Sequence, residues 1–456
     1  MAHAIRLKKG LNIPLAGVSA PEIQTAASIG QISVSPDDYL GLSPKVLVKA
    51  GDLVQAGTPI LADKLFPELL IASPVSGVVE AVVRGEKRKL LRILIQADAQ
   101  QRSVEFPIEN PLEMDAQDVR KRICEAGLWH YIQQRPYDVI AKPTVQPRDI
   151  FITGFDSAPL GVDYGFVLNN QEADFQAGLD ALSRLTNGSV YLSIPVGCTS
   201  KALTEAKGVI HQEFDGPHPA GNVGVQINRI KPINKGEVVW TLRATDVVFI
   251  GRLFNKGVVD LKHLIALSGP GLRKPCYVSA LPGIPLAPVL NGNIYKEMHC
   301  RIICGNPLTG TTVAADGYLM AHANSVTVLK EGDDQHEFFG WIMPRIDKFS
   351  VSRTYLSGFF RTLFPAIKYE PDTRVLGGER ALIVTGEYDA VFPMDILPEQ
   401  LVRACITGNI EKQEALGIYE VAPEDFALCE YVCTSKVQVQ KVVREALDIL
   451  RVENGD

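Results

Sequence analysis

The chain has 456 residues, about three times the ~150 that one domain usually takes, which excludes a single compact unit. With 46 Lys and Arg against 52 Asp and Glu, a formal charge of −6 and 46% hydrophobic residues, it can bury sizeable cores and is not a disordered chain. The mildly acidic balance argues against a nucleic-acid partner, which would call for a basic domain or stripe.

The start of the chain places Arg6, Lys8 and Lys9 where the apolar core of a secretory signal would begin. No run of ~18 uncharged apolar residues suits a spanning helix. The nearest, Cys276 to Asn291, carries Pro282, Pro285 and Pro288, which such a helix tolerates poorly. Eight cysteines, not spaced as a disulfide framework, fit a reducing compartment. A cytoplasmic chain is the expectation.

Between Lys45 and Ile95, short β-rich runs are broken by Gly51-Asp52, Gly57, Pro74-Val75-Ser76-Gly77 and the basic turn Arg84-Gly85-Glu86-Lys87-Arg88. Such punctuation predicts tight hairpins in a small barrel or sandwich. The run Gly51-Asp52-Leu53-Val54-Gln55-Ala56-Gly57 and the later Ser73-Pro74-Val75-Ser76-Gly77-Val78 resemble the biotinyl/lipoyl carrier fold. In that family a lysine is lipoylated, and Lys64 is the candidate here. Leu65-Phe66-Pro67 after it, and ten positions from Lys64 to Pro74, depart from the lipoyl pattern, so a purely structural carrier-like fold is the preferred reading.

From about Asp149 the texture becomes α/β. Asp149–Gly154, Ser189–Ile194 and Asp246–Gly251 are short, nearly continuous apolar runs, as suits strands buried on both faces of a parallel sheet. Phe175, Leu179, Leu182 and Leu185 recur at helical spacing between Asn170 and Thr186, with Asn187-Gly188 as a stop. A βαβ unit and a Rossmann-like domain follow. A dinucleotide or flavin site there needs a Gly-rich turn at a helix start. Thr153-Gly154-Phe155-Asp156 has one glycine, and Gly251 to Gly257 holds bulky residues. Pro219-Ala220-Gly221-Asn222-Val223-Gly224 leads into Val225–Ile230, which reads as a strand. His218-Pro219-Ala220-Gly221-Asn222-Val223-Gly224 could line a pocket; the plainer reading is a turn with His218 exposed.

Gly305-Asn306-Pro307-Leu308-Thr309-Gly310 lies between β-like stretches, suggesting a small β-grasp or hairpin-rich module. Cys300 and Cys304 with His299 and His322 lack the close ligand pairs of a structural zinc site. The Pro-rich run Ser279–Leu290 would either wall an apolar groove or pack as a linker. After a polar loop at Asp372–Gly378 the tail reads as helical, clearest at Ser435–Leu450, where Val439, Val442, Val443, Ala446, Leu447 and Leu450 share one face. Before it, Cys429 and Cys433 fall on two places of an iron–sulfur run whose other places hold Pro423, Phe426 and Thr434, and two thiolates do not hold a four-iron cluster.

The order of these units is specific. A carrier-like β barrel-sandwich with an N-terminal arm (1–100), a Rossmann-like α/β domain (101–255), a β-grasp-like, SLBB-like module (256–335) and a helical, degenerate ferredoxin-like domain (336–456) form a multidomain α/β plus β chain. This resembles the group formed by the complex I flavoprotein, the C component of the Rnf complex and the NqrA component of the Na+-translocating NADH:quinone oxidoreductase. The NqrA family is nearest, through Arg6–Pro14 with Gly17, Asp38–Leu42, Arg84–Arg88, His218–Gly224, Pro393–Pro398 and Leu416–Glu420.

The resemblance implies a peripheral component on the cytoplasmic face of the bacterial inner membrane. It would dock on the membrane-embedded NqrB component of a six-subunit pump that oxidises NADH, reduces ubiquinone or menaquinone, and exports Na+. It implies no cofactor in this chain, with FMN, FAD, riboflavin and iron–sulfur centres in the other components. His218, Pro219, Gly221, Asn222 and Gly224 become candidates for quinone or partner contact. No acid–base or nucleophile–base arrangement is recognisable, so no catalytic residue is expected. Two other classes stand beside it: an NADH- or FMN-binding redox protein like the complex I flavoprotein, and a lipoyl-type carrier modified on Lys64.

Overall fold

The computed structural model describes residues 4–24, 30–295, 297–333 and 366–455, with positions 343, 345–346, 348–351, 355–358 and 364 between them. The β-rich beginning forms two small sheets. One orders Gln31–Val34, Leu90–Ala97, Gly77–Arg84 and Leu53–Val54; the other orders Pro44–Val46, Pro59–Asp63 and Leu70–Ala72. Ile32, Ile60, Ile71, Val79, Ile93 and Ile95 close the space between them, and Lys87 and Arg88 turn the long hairpin at positive φ. The residues expected to form hairpins do so.

Lys64 lies on the surface at the turn after Pro59–Asp63. The buried Asp63 carboxylate builds that turn by accepting from the N–H groups of Ser43, Leu65 and Phe66 at 2.6, 2.6 and 2.9 Å.

The N-terminal arm leaves this unit. Ile5–Arg6 pairs in parallel with Ile210–Asp215, and Ile23–Gln24 pairs with Cys276–Ala280. The arm therefore supplies an edge strand to each of the two larger sheets.

The first of these sheets runs Ile5–Arg6, Ile210–Asp215, Val190–Pro195, Ile150–Thr153, Val239–Arg243, Gln133–Arg135 and Val139–Ile140. Its four central strands are parallel. In chain order they step outward from Ile150–Thr153 to Ile210–Asp215, then return to the other side with Val239–Arg243. That reversal is the point where doubly wound sheets open a crevice at the strands' carboxyl ends. Ile150 and Ile152 pack toward the helices Glu172–Ser183 and Ala244–Lys256, while Phe151 and Val239 pack toward Val223–Ile230.

Two expected strands are helices. Asp246–Gly251 lies inside the helix Ala244–Lys256, and the strand sits just before it at Val239–Arg243. This helix is buried from Ala244 through Phe254, so no polar stripe marks its period. Val225–Ile230 lies in the helix Val223–Ile230. Its apparent alternation arises because Gln226 and Asn228 are buried polar residues with hydrogen-bond partners.

The third unit is a sheet ordered Thr311–Val313, Cys300–Cys304, Ser325–Lys330, His263–Ser268, Cys276–Ala280 and Ile23–Gln24. The Pro-rich run beside it is packed: Leu281, Ile284, Leu286 and Leu290 are all buried. The tail forms the helices Glu387–Val391, Pro398–Ile406, Ile410–Ala415, Ala427–Val432 and Val439–Glu453. The last buries Val439, Val443, Ala446, Leu447 and Leu450. Cys429 and Cys433 are inside this helical core, where burial pushes the Cys429 thiol up and the Tyr388 hydroxyl lies 3.0 Å from Cys433 Sγ. Leu7, Ile13, Ala220 and Val225 belong to the same apolar cluster, so the helical unit shares its core with the arm and the α/β unit.

Candidate functional site

The sheet reversal opens into a cavity of about 420 Å³. Its floor is the carboxyl ends of Ile150–Thr153 and Val239–Arg243; its walls come from all four units. Asp38 belongs to the first, Phe155, Asp156, His218 and Arg243 to the second, Asn306, His322 and Asn324 to the third, and Glu424 to the tail.

Of the candidate contacts, His218, Gly221 and Asn222 line this cavity. Pro219 is buried behind them, and Gly224 faces the helical unit. His218 is 3% exposed, which corrects the expectation of an exposed turn. The arm holds it in place: Asn12 Oδ1 accepts from the His218 N–H at 2.9 Å, and the His218 carbonyl accepts from the Leu11 N–H at 2.8 Å. Ser157 Oγ accepts from the Gly221 N–H at 2.7 Å and lies 3.0 Å from His218 Nδ1. His218 Nε2 is a buried atom with no hydrogen-bond partner among the described residues. Burial lowers His218 to about 4, so the ring is neutral.

Tyr131 also lines the cavity. Its hydroxyl is buried without a hydrogen-bond partner among the described residues, and burial raises it well above the usual phenol range. Tyr131 sits in a ring cluster with His130 and His322 at 4.1 and 5.3 Å. Burial lowers His322 to about 4, with the Arg243 charge adding to the effect. His299 instead pairs with Asp333 at the surface, 2.6 Å away, so the histidines near Cys300 and Cys304 do not converge. Among the described residues no group of three or more His, Cys, Asp or Glu is placed to hold a metal.

The cationic groups are already engaged. Arg243 donates to both Asp246 oxygens at 3.0 and 3.4 Å and to the His322 carbonyl at 2.7 Å. Arg135, 1% exposed, meets Asp138 at 3.4 Å, Glu424 at 2.9 Å and Asp425 at 3.5 Å. One guanidinium cannot neutralise three carboxylates. Burial raises both Glu424 and Asp425, and takes Glu424 to about 7. Glu424 is thus the group that holds a proton near neutrality. Asp425 accepts from the Ala422 N–H at 2.9 Å beside the start of a helix.

That helix is Val223–Ile230. Because it is a helix and not a strand, Gly221-Asn222-Val223-Gly224 is after all a Gly-rich turn entering a helix, the arrangement that a nucleotide site on this fold calls for. A Cβ at Gly224 would stand 2.7 Å from Asp425 Oδ1 and closer still to Oδ2. The glycine lets a carboxylate from the tail approach the helix start, as glycines elsewhere admit a phosphate. Asn222 Nδ2 donates to the Glu424 carbonyl at 3.1 Å. Asn228 donates to Glu420, and Arg229 to the Pro393 carbonyl, so Pro393–Pro398 and Leu416–Glu420 are seated on the same helix.

The loop after Ile150–Thr153 repeats this pattern. Asp156 Oδ1 accepts from the Ala158 N–H at 2.8 Å and Oδ2 from the Val162 N–H at 3.4 Å. A Cβ at Gly161 would meet Asp156 Cγ at 2.8 Å, so the loop wraps a carboxylate of its own.

Fold and site together define a multidomain α/β protein: a barrel-sandwich unit, a doubly wound unit and a further sheet unit, closed by a helical tail around a switch-point cavity. Three family models match in the same order. They are the NqrA N-terminal barrel-sandwich hybrid domain over residues 5–98, the NqrA second alpha/beta domain over 114–259 and the NQRA C-terminal domain over 264–315. The chain belongs to the NqrA family of the Na+-translocating NADH-quinone reductase. Relatives named as NqrA components of that reductase, from Yersinia pseudotuberculosis serotype I and Serratia proteamaculans, are 34% and 35% identical to it, each over 98% of this chain and 100% of its own length. The Hahella chejuensis relative is 34% identical over the same shares. Among solved structures, an NAD+-reducing [NiFe]-hydrogenase aligns over 75% of this chain and 62% of its own at TM-score 0.40 and 13% identity, too weak a likeness to carry an argument.

Proposed function

We propose that this chain is the peripheral NqrA component of a Na+-translocating NADH:quinone reductase. It docks on the membrane-embedded NqrB component from the cytoplasmic face, at the quinone-reducing end, and is not catalytic by itself. The observation that carries this reading is the end-to-end similarity, 34% identity over 98% of this chain and 100% of the relative. Among the described residues no helix is long and apolar enough to cross a membrane, so in this reading the chain is held there by its partners.

A cofactor-free role is supported by the carboxylates at the switch point. The fold implies a nucleotide there, yet the turn into Val223–Ile230 meets Asp425 and the loop after Ile150–Thr153 meets Asp156. A phosphate-bearing group does not fit residues arranged in this way. FMN, FAD, riboflavin and iron–sulfur chemistry therefore fall to the other components. His218, Gly221 and Asn222 face the cavity and are the contacts proposed for quinone, while Pro219 and Gly224 hold the wall and the seat of the tail.

The test is purification of the tagged chain from detergent-solubilised membranes. Co-elution of hydrophobic membrane subunits is expected, together with loss of Na+-stimulated NADH:quinone reductase activity when the chain is deleted. Recovery of non-membrane partners alone, or activity that survives the deletion, overturns the reading. A flavin absorbance band in the isolated chain would favour the NADH- or FMN-binding alternative, and a mass adduct on Lys64 the carrier alternative.

A further inference from the structure

In the four-stranded sheet of the first unit, the hairpin of Gly77–Arg84 and Leu90–Ala97 outruns both its neighbours. Leu53–Val54 pairs with Gly77 and Val78, and Gln31–Val34 pairs with Ile93 to Gln96. Past those contacts the two strands continue as a ribbon, pairing Val83 with Arg92 and Arg84 with Leu90. Leu90 is buried, and the Leu91 side chain packs so closely under the turn that a Cβ at Gly85 would stand 3.1 Å from it. At the tip, Arg84, Glu86, Lys87, Arg88 and Lys89 are all exposed.

Residues 84–92 hold five basic side chains against one acidic, in a chain whose sum is −6. Two of the five are engaged: Lys89 meets Asp37 at 3.1 Å, and the Arg92 guanidinium lies 5.5 Å from the centre of the Tyr318 ring. Arg84 donates to the Arg88 carbonyl at 3.2 Å, which braces the turn and leaves the charge uncompensated. No carboxylate among the described residues forms an ion pair with Arg84, Lys87 or Arg88. Lys87 and Arg88 also stand at φ 51° and 61°, where a Cβ is crowded and tight turns usually carry Gly or Asn. Glycine would close this turn with less strain. Two long cations at adjoining strained positions therefore serve something other than the fold, and what they add is positive charge at the end of a ribbon.

We propose that this hairpin tip docks on a membrane surface, binding anionic phospholipid headgroups through Arg84, Lys87 and Arg88. A specific protein partner would call for an apolar or aromatic anchor among the cations, and residues 84–89 contain none. A layer of phosphates needs only reach and charge. Each basic group near such a surface strengthens binding about five-fold, so three give a contact that orients the chain without anchoring it. The proposal rests on the reading that the chain works at a membrane face, and adds a lipid contact to the docking on partner subunits. Failure to bind lipid removes that contact alone, since co-purification decides the partner reading separately.

The experiment sediments the full chain with vesicles of equimolar phosphatidylglycerol and phosphatidylcholine, and with phosphatidylcholine alone. Binding to the anionic vesicles only is expected, and it should vanish at about 1 M salt, where screening shortens to about 3 Å. Lys87→Gly/Arg88→Gly should weaken it at least about ten-fold, with no fall in melting temperature by circular dichroism, because glycine suits both φ values. In the assembled complex in its membrane, a photocrosslinking side chain at Glu86 should label phospholipid. The proposal is overturned if the chain stays in solution with anionic vesicles, if it binds neutral vesicles equally, or if the folded double variant binds as wild type does. A crosslink to a protein subunit in place of lipid overturns it as well.

Discussion

The close approach of Asp425 to Gly224 makes a sharp prediction for a double-mutant cycle. In Gly224→Ala the new methyl would stand 2.7 Å from Asp425 Oδ1 and nearer to Oδ2, so the carboxylate or the helix start must move. Overpacking of this kind costs about 1–3 kcal/mol. Asp425→Ala removes the acceptor of the Ala422 N–H but leaves Arg135 paired with Asp138 and Glu424, so its cost is also about 1–3 kcal/mol. If the two act through one contact, the second change gives the methyl its room. The double variant should then be less destabilised than the sum by about 1–2 kcal/mol.

Urea unfolding read by tryptophan fluorescence measures this, since Trp129 and Trp240 are buried edge-on at 5.3 Å in the α/β unit. Costs that add to within about 0.5 kcal/mol would refute the reasoning. Gly224 would then be serving only its own backbone, and the seating of the tail would need another explanation.

Removing the guanidinium instead, with Arg135→Met, strands the buried Asp425 carboxylate and leaves the partly exposed Asp138 and Glu424 without their shared cation. It should cost about 3–5 kcal/mol in the same unfolding assay, and a loss below about 1 kcal/mol would count against the shared pairing. Glu424 is raised from 4.5 to about 7, so its contribution to stability is fully present below 4.5 and fades as pH rises through about 7. Melting curves across that window should flatten in Glu424→Gln relative to wild type. His322 is depressed from 6.5 to about 4, the opposite case. Its contribution is present above 6.5 and lost as pH falls toward 4, so His322→Phe should resist acid better, as circular dichroism at low pH would show. Leu447→Ala, at a site with no exposed surface, should cost about 2–5 kcal/mol in urea.

Much of the fold was legible in the sequence because local rules dominate where one face meets water. The hairpins between Lys45 and Ile95, the helix around Leu179 and the terminal helix through Leu447 all carry a clear period and turn residues at the right places. The rule fails where elements are enclosed. Ala244–Lys256 is wedged against Glu172–Ser183 so closely that a Cβ at Gly178 would meet Val247, and one at Gly251 would meet Asp174. With no exposed stripe, Val247-Val248-Phe249-Ile250 reads equally as a buried strand. The candidate site fared unevenly for a related reason. His218–Gly224 could be picked out as a string, but Arg135, Arg243, Asp156 and Asp425 could not, since their pairing exists only after the chain has folded.

Gly221 and Gly224 show why that failure was informative. A glycine pair ahead of a helix is ordinarily a request for something close and anionic. Its partner need not be a ligand: a carboxylate from the far end of the same chain meets the same backbone, helix dipole and steric allowance. Such a substitution turns a binding turn into a clamp between units, and it keeps the glycine indispensable while changing its reason. The two cases separate by experiment, because a ligand seat loses affinity when its glycine is replaced, whereas a clamp loses stability and recovers it when the clamping carboxylate is also removed.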